Sequence, residues 1–366
     1  MKIALILPGG VDPSGVERVV PAWLWQIERL ARVHELHVFA LRQPGAPAEY
    51  PLLGATVHNL GVESPLAAVG ALLSALRRRG RFDVLHAFWA GTPGLAACIA
   101  GRRFRVPVVV SIAGGELVAC PEIGYGGALR WRNRMVVRST LRLAARVTVA
   151  SGGLEAQLRA IGVPEGRVVR VPLGVPRDRF TPAERPPDGP WRLLHVASLN
   201  RVKDQGTLLA AFARIVRRLP EVRLDVVGED TLGGVLVRQA EEMELDGRVH
   251  FAGWRPSTEL PDWYRRAHLH LLTSRHEAGP VAVLEAAACG VATVGTHVGH
   301  VEDLAPSAAV SVPVGDAEAL ADAALELLQD DCRRRQIADA ARTFALEHDA
   351  DRTAARFESI YREVTA

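Results

Sequence analysis

The sequence predicts an α/β protein made of two doubly wound domains that face each other across a cleft. Three observations carry this. Short apolar runs alternate with helical patterns along the chain, as in parallel strands joined by crossover helices. The alternation stops once, between Pro176 and Trp191, where Pro-Arg-Asp-Arg-Phe-Thr-Pro and then Arg-Pro-Pro-Asp-Gly-Pro suit neither regular element. It then restarts. Finally, 366 residues at 48% hydrophobic and 23% charged are ordinary globular composition at a length that suits two domains.

In the first domain the expected strands are Ile3–Leu7, Leu36–Leu41, Val84–Phe88, Val106–Ile112, Arg146–Ala150 and Val168–Val171. Helical patterns such as Val16–Val33 and Leu66–Arg79 lie between them. Pro21 falls in the first turns of the first helix, where a kink is expected. After the linker come Leu193–Ala197, Arg223–Gly228, Val249–Ala252, His268–Leu272 and Ala292–Gly295, with a helix-rich tail from Ala317. In Asp351–Val364 the residues Ala355, Phe357, Ile360 and Tyr361 share one helical face, which is expected to pack back on the first domain. The expected domains are therefore 1–176 with the helix 351–366, and 177–350.

Composition removes several function classes. A net charge of +3 is too small for a nucleic-acid partner. Cys98, Cys120, Cys289 and Cys332 have no metal-type spacing and read as reduced thiols of a cytoplasmic protein. The apolar run Ile3–Leu7 is too short for a leader or a membrane span. His297 and His300 have no third ligand beside them, so no metal is expected. The Arg-rich segment Arg130–Arg146 has two readings: a solvated helix face, or peripheral contact with an anionic membrane.

The chemistry concentrates at ends of expected strands, where open α/β sheets bind ligands. Glu277 and Glu285 flank a turn, Glu-Ala-Gly-Pro-Val, between a strand and a helix. The backbone N–H groups of such a turn suit an anion. Lys203 is one of only two lysines in a chain that otherwise uses arginine. It follows another strand, in Ser198-Leu199-Asn200-Arg201-Val202-Lys203, and suits a phosphate as a point charge. In the first domain, the loop with Gly9, Gly10 and Gly15 lacks the G-x-G-x-x-G spacing, so a nicotinamide dinucleotide is not expected. Gly114 and Glu116 follow another strand and can face a ligand. His86 ends a strand, either as a core histidine or as a ligand contact. Acceptor choice would lie in the loops Ala46–Leu60 and Cys120–Gly127.

Taken together, these residues resemble retaining glycosyltransferase family 4, which includes glycogen- and sucrose-synthase-like enzymes and has the GT-B fold of two Rossmann-like domains. Glu277-x7-Glu285 resembles its two-glutamate signature, Leu199-x-x-x-Lys203 its diphosphate segment, and Arg248–Trp254 its base-side strand and loop. Val171–Pro182 is similar to its interdomain crossing, and Ser14–Arg18 to its first glycine-rich loop. The resemblance implies a nucleotide-diphosphate sugar as co-substrate, no cofactor, and transfer to an unidentified acceptor hydroxyl. By the same implication Glu277 and Lys203 are catalytic. Gly15, Ser198, Arg201, Lys203, Trp254, Arg255, Gly279, Pro280, Val281 and Glu285 bind the donor, while Gly114, Glu116 and His86 lie on the acceptor side. Three positions depart from the family pattern: Ser14, Ala113 and Ser198 stand where glycine, histidine and arginine are usual. The alternatives are a nucleotide-sugar epimerase, a phosphorylase, or a catalytically impaired nucleotide-sugar-binding relative.

Overall fold

The computed structural model describes residues 1–62, 64–184 and 189–366. Arg185–Asp188, in the expected linker, lie outside the described residues. The chain divides into two compact units, Met1–Leu173 with Ala350–Ala366, and Gly174–Asp349.

The first unit has strands β1 (Lys2–Leu7), β2 (Glu35–Ala40), β3 (Ala48–Leu52), β4 (Ala55–Asn59), β5 (Val84–Phe88), β6 (Val108–Ile112), β7 (Arg146–Val149) and β8 (Val168–Arg170). Its helices are α1 (Pro21–Ala31), α2 (Pro65–Arg78), α3 (Thr92–Phe104), α4 (Trp131–Leu143) and α5 (Gly152–Ala160). The sheet order is β3-β4-β2-β1-β5-β6-β7-β8, parallel except for the β3–β4 pair. β5 and β6 are buried at every position, because helices cover both faces of a parallel sheet and leave no polar side to alternate with.

Two expectations need correction here. The first helix does not run from Val16, nor does Pro21 kink it. Pro21 opens α1, where its missing N–H costs nothing and its fixed φ suits the first turn. Residues 46–60, expected as a loop, form an antiparallel hairpin at the sheet edge. Leu53 and Gly54 turn it with φ of +51° and +85°, the positive-φ pair that matches strand twist in two-residue hairpins.

The second unit carries β9 (Arg192–Val196), β10 (Arg223–Val227), β11 (Val249–Gly253), β12 (Leu269–Leu272), β13 (Thr293–Thr296) and β14 (Val310–Val312). Between and after them run α6 (Gln205–Arg218), α7 (Val235–Glu242), α8 (Leu260–Arg265), α9 (Val281–Ala288), α10 (His300–Leu304), α11 (Ala317–Gln329) and α12 (Asp331–Glu347). The order β11-β10-β9-β12-β13-β14 is parallel throughout. It reverses at β9, so the loops after β9 and β12 flank a topological switch point.

The last helix, α13 (Ala350–Thr365), belongs to the first unit. Its Phe357, Ile360 and Tyr361 are at most 1% exposed and share a core with Ile3, Leu5, Val84 and Phe88. The first unit closes at Leu173, three residues before the expected boundary, because Gly174 packs on the end of the second. A Cβ at Gly174 would lie 1.8 Å from the His348 carbonyl oxygen, so the backbone approaches more closely there than any side chain allows. Among the described residues no helix is long and apolar enough to cross a membrane.

Candidate functional site

The loops after β9 and β12 are joined by four contacts. The Arg275 N–H donates to the Val202 carbonyl at 2.8 Å, and the Thr273 hydroxyl donates to the Lys203 carbonyl at 2.8 Å. The Arg275 Nε stands 3.0 Å from the Asp204 carboxylate. Finally, Lys203 Nζ donates to Glu277 Oε1 at 2.5 Å. Ser274 donates to the same oxygen at 2.6 Å. The Lys203 and Glu277 side chains are 24% and 12% exposed, so the pair is partly desolvated, and its charges act more strongly than on an open surface.

Backbone geometry sets these side chains in place. Asp204 opens α6 with a φ of +51°, a left-handed conformation that costs a non-glycine residue free energy. Its pairing with Arg275 helps to hold it. The loop after β13 closes the arrangement. Gly299, at φ +53°, lies so close that an added Cβ would stand 2.6 Å from Pro280 Cδ and 3.1 Å from Glu277 Cβ. Gly279, Pro280 and Val281 form the entry to α9, and no side chain caps that end, so the helix start keeps backbone donors for an anion.

Glu285 sits one turn into α9, 5% exposed, and accepts a hydrogen bond from Tyr264 Oη at 2.8 Å. Burial lifts its pKa to about 7, while the Tyr264 bond partly opposes the shift. The Tyr264 hydroxyl is pushed well up, by burial first and then by Glu285. Behind the pair formed by Lys203 and Glu277 lies His195, which contacts the Leu271 carbonyl at 2.9 Å. Burial lowers its pKa to about 4, with Lys203 adding to the effect, so it is neutral at neutral pH.

The remaining donor-side candidates are spread out. Ser198 and Arg201 are exposed in the loop after β9. Trp254, 48% exposed, and Arg255 follow the edge strand β11, with the Arg255 guanidinium over the Trp263 ring at 5.9 Å. Gly15 lies in the first unit, in the loop after β1, at φ +66°.

Of the candidates expected on the acceptor side, Gly114 and Glu116 follow β6. Glu116 Oε1 accepts the N–H groups of Ala90 at 3.2 Å and Ala113 at 3.3 Å, tying together the loops after β5 and β6. Burial raises its pKa, partly offset by those donors. His86 is a correction. It is fully buried, with Nδ1 2.6 Å from Tyr361 Oη and Nε2 2.8 Å from Ser111 Oγ. Both ring nitrogens are used inside the core and burial lowers its pKa to about 3, so it cannot contact an acceptor.

Sequence reasoning missed Tyr264, Ser274, the pairing of Arg275 with Asp204, and Trp89. Trp89 follows β5 at φ +74° and is 39% exposed. A tryptophan at the C-terminal end of a parallel strand was the available signal. Among the described residues no group of three or more His, Cys, Asp or Glu side chains is placed to hold a metal ion.

Comparison with known proteins bears on the family and the fold. Residues 14–174 match the family described as Glycosyl transferase 4-like domain, and residues 176–344 match Glycosyl transferases group 1. A D-inositol 3-phosphate glycosyltransferase of Xylanimonas cellulosilytica is 30% identical over 321 residues, covering 80% of this chain and 74% of the relative. Among solved structures, sucrose-phosphate synthase from Thermosynechococcus elongatus superposes with a TM-score of 0.84 at 20% identity, over 99% of each chain. Anabaena HepE in complex with UDP-glucose gives 0.77 at 18% identity, over 98% of this chain and 100% of that one. The chain therefore belongs to glycosyltransferase family 4 and has the GT-B fold.

Proposed function

We propose that this glycosyltransferase moves a sugar from a nucleotide-diphosphate sugar to an acceptor hydroxyl with retention of configuration and without a metal. The observation that carries the reading is the ion pair of Lys203 and Glu277 at the switch point, beside the uncapped start of α9. HepE, of the same fold, has been solved with UDP-glucose, which supports a nucleotide-sugar donor here. In this reading the diphosphate rests on the N–H groups at Gly279–Val281. Lys203 leaves Glu277 for the phosphate and neutralises the charge that builds on it as the glycosidic bond breaks, a preorganised electrostatic contribution. Glu277, released from Lys203, takes hydroxyls of the transferred sugar and orients it. Glu285 takes the ribose hydroxyls. The acceptor attacks from the face that the leaving group occupies, and a phosphate oxygen takes its proton.

The test is a thermal-shift screen of UDP, GDP, ADP and their sugars, followed by product analysis. One nucleotide series should raise the melting temperature, since a ligand that binds only the native state stabilises it. Free nucleotide should then appear only when an acceptor is present, with the product anomer matching that of the donor. Inversion would overturn the retaining mechanism. Binding without turnover across a broad acceptor panel would support the impaired relative, which Ser198 and Ala113 motivate. Isomerised nucleotide-sugar would support an epimerase.

A further inference from the structure

The transferase reading leaves α4 without a role. Arg130–Arg146 contains six arginines and no acidic residue, in a chain whose 44 strong bases nearly balance 41 acids. Four of these arginines, Arg132, Arg134, Arg138 and Arg142, lie in α4, so charge of one sign is concentrated on that helix and its entry. Val137, Thr140 and Leu141 bury the inner face of α4. Its outer face carries Trp131 at 64% exposure and Met135 at 52%, next to Leu129 at 38%. Of fourteen large apolar side chains exposed among the described residues, three therefore fall within these seven positions. Trp131, Met135, Arg138 and Arg142 recur at steps of four, three and four residues, which puts them on one stripe. The Arg132 guanidinium rests over the Trp131 ring at 5.6 Å. Arg134 donates to the Ala128 carbonyl at 2.7 Å and fixes the entry to the helix. No ion pair occupies Arg130, Arg132, Arg138 or Arg142 among the described residues.

We propose that this face docks the protein on an anionic lipid bilayer, with Trp131, Met135 and Leu129 entering the interface and the arginines taking lipid phosphates. The chemistry is that of an interfacial amphipathic helix: an apolar stripe for the headgroup–acyl boundary and guanidinium forks for phosphate. A protein partner would have to carry an acidic surface matched to every guanidinium, whereas an anionic bilayer presents negative charge at any register. The preceding segment links the face to the acceptor side. The Gly127 N–H donates to the Gly115 carbonyl at 2.8 Å, and the Ala128 N–H to the Val118 carbonyl at 3.0 Å. A docked α4 therefore holds the Gly114–Glu116 loop near the headgroups, where a lipid-borne hydroxyl would meet it. That last step rests on the transferase reading; docking itself does not.

The experiment is co-sedimentation of the full chain with vesicles of phosphatidylcholine alone and of phosphatidylcholine with phosphatidylglycerol, in the absence of any sugar donor. Binding should require the anionic lipid and weaken with salt. The triple variant Arg130→Ala/Arg138→Ala/Arg142→Ala should lose on the order of a hundredfold in vesicle affinity. Trp131→Ala/Met135→Ala should lose roughly tenfold. All these side chains are exposed, so unchanged circular dichroism and melting should accompany both losses. Failure to bind anionic vesicles overturns the proposal, as does binding that the arginine variant leaves intact. A single-stranded RNA homopolymer serves as the competing polyanion. Tighter binding to it, insensitive to Trp131→Ala/Met135→Ala, would make the face a nucleic-acid site and overturn membrane docking. Because no donor or acceptor is present, these outcomes are independent of whether the transferase mechanism holds.

Discussion

Lys203 has a partner in Glu277, so an arriving diphosphate must compete with a carboxylate already in place. Lys203→Ala should lower turnover at saturating donor by about two to three powers of ten, the scale of a lost electrostatic donor. Near-normal turnover would remove the role assigned to it. Glu285 leads to a prediction in pH. Its pKa stands at about 7 in the folded protein, above the ordinary carboxylic value it regains on unfolding. Between those values the folded state keeps a proton that the unfolded chain has released, so stability falls as pH rises across the window and levels off above about 7. Glu285→Gln keeps a neutral group there at every pH. The variant should therefore gain on the wild type as pH rises from about 5 to about 8, by at most on the order of 3 kcal/mol. Nucleotide-diphosphate affinity, measured by calorimetry, should rise with pH toward about 7 in the wild type more steeply than in the variant, since only the ionised carboxylate accepts from both ribose hydroxyls. Parallel pH profiles for the two proteins would separate Glu285 from the ribose.

Three loops, after β9, β12 and β13, position the site, and their contacts leave no room for a methyl group at Gly299. Gly299→Ala meets both the Pro280 ring and a positive φ, so it should destabilise the protein by about 1–3 kcal/mol. Turnover should fall with it because the Glu277 turn must shift. A stable and fully active variant would show that this turn tolerates movement. The sequence made the sheet legible, since strands covered on both faces are written as unbroken apolar runs. It misled where an apolar pattern had no helix beneath it. Val16, Val19 and Val20 mimic the start of α1, although Pro21 marks the true start. The carboxylate pair could be read because strand, turn and helix lie consecutively in the chain. The Tyr264 bond to Glu285 and the pairing of Arg275 with Asp204 could not, since each depends on which strands become neighbours. His86 shows the same limit: the sequence allowed a core histidine but did not show which group would bond it, since its partner Tyr361 lies 275 residues away.

For the whole molecule, the anchoring of α13 is decisive. Phe357→Ala empties a fully packed position in the first unit and should cost about 3–5 kcal/mol. Tyr361→Phe removes a hydroxyl from His86 and should cost about 1–3 kcal/mol, the penalty for a buried ring nitrogen left without a partner. Both are measurable by denaturant unfolding, and because burial alone lowers the His86 pKa, Tyr361→Phe should leave the imidazole neutral at neutral pH. A smaller loss for Phe357→Ala than for a surface alanine substitution on α13 would show that the helix is loosely held.

Because α13 follows the second unit in the chain, the helix also fixes an order in time. A ribosome makes residues 1–173 first, yet the core of that unit lacks Phe357, Ile360 and Tyr361 until the second unit has been completely translated. The segment translated first is thus finished last, and throughout that interval the apolar side chains α13 will cover remain open to solvent and to chaperones.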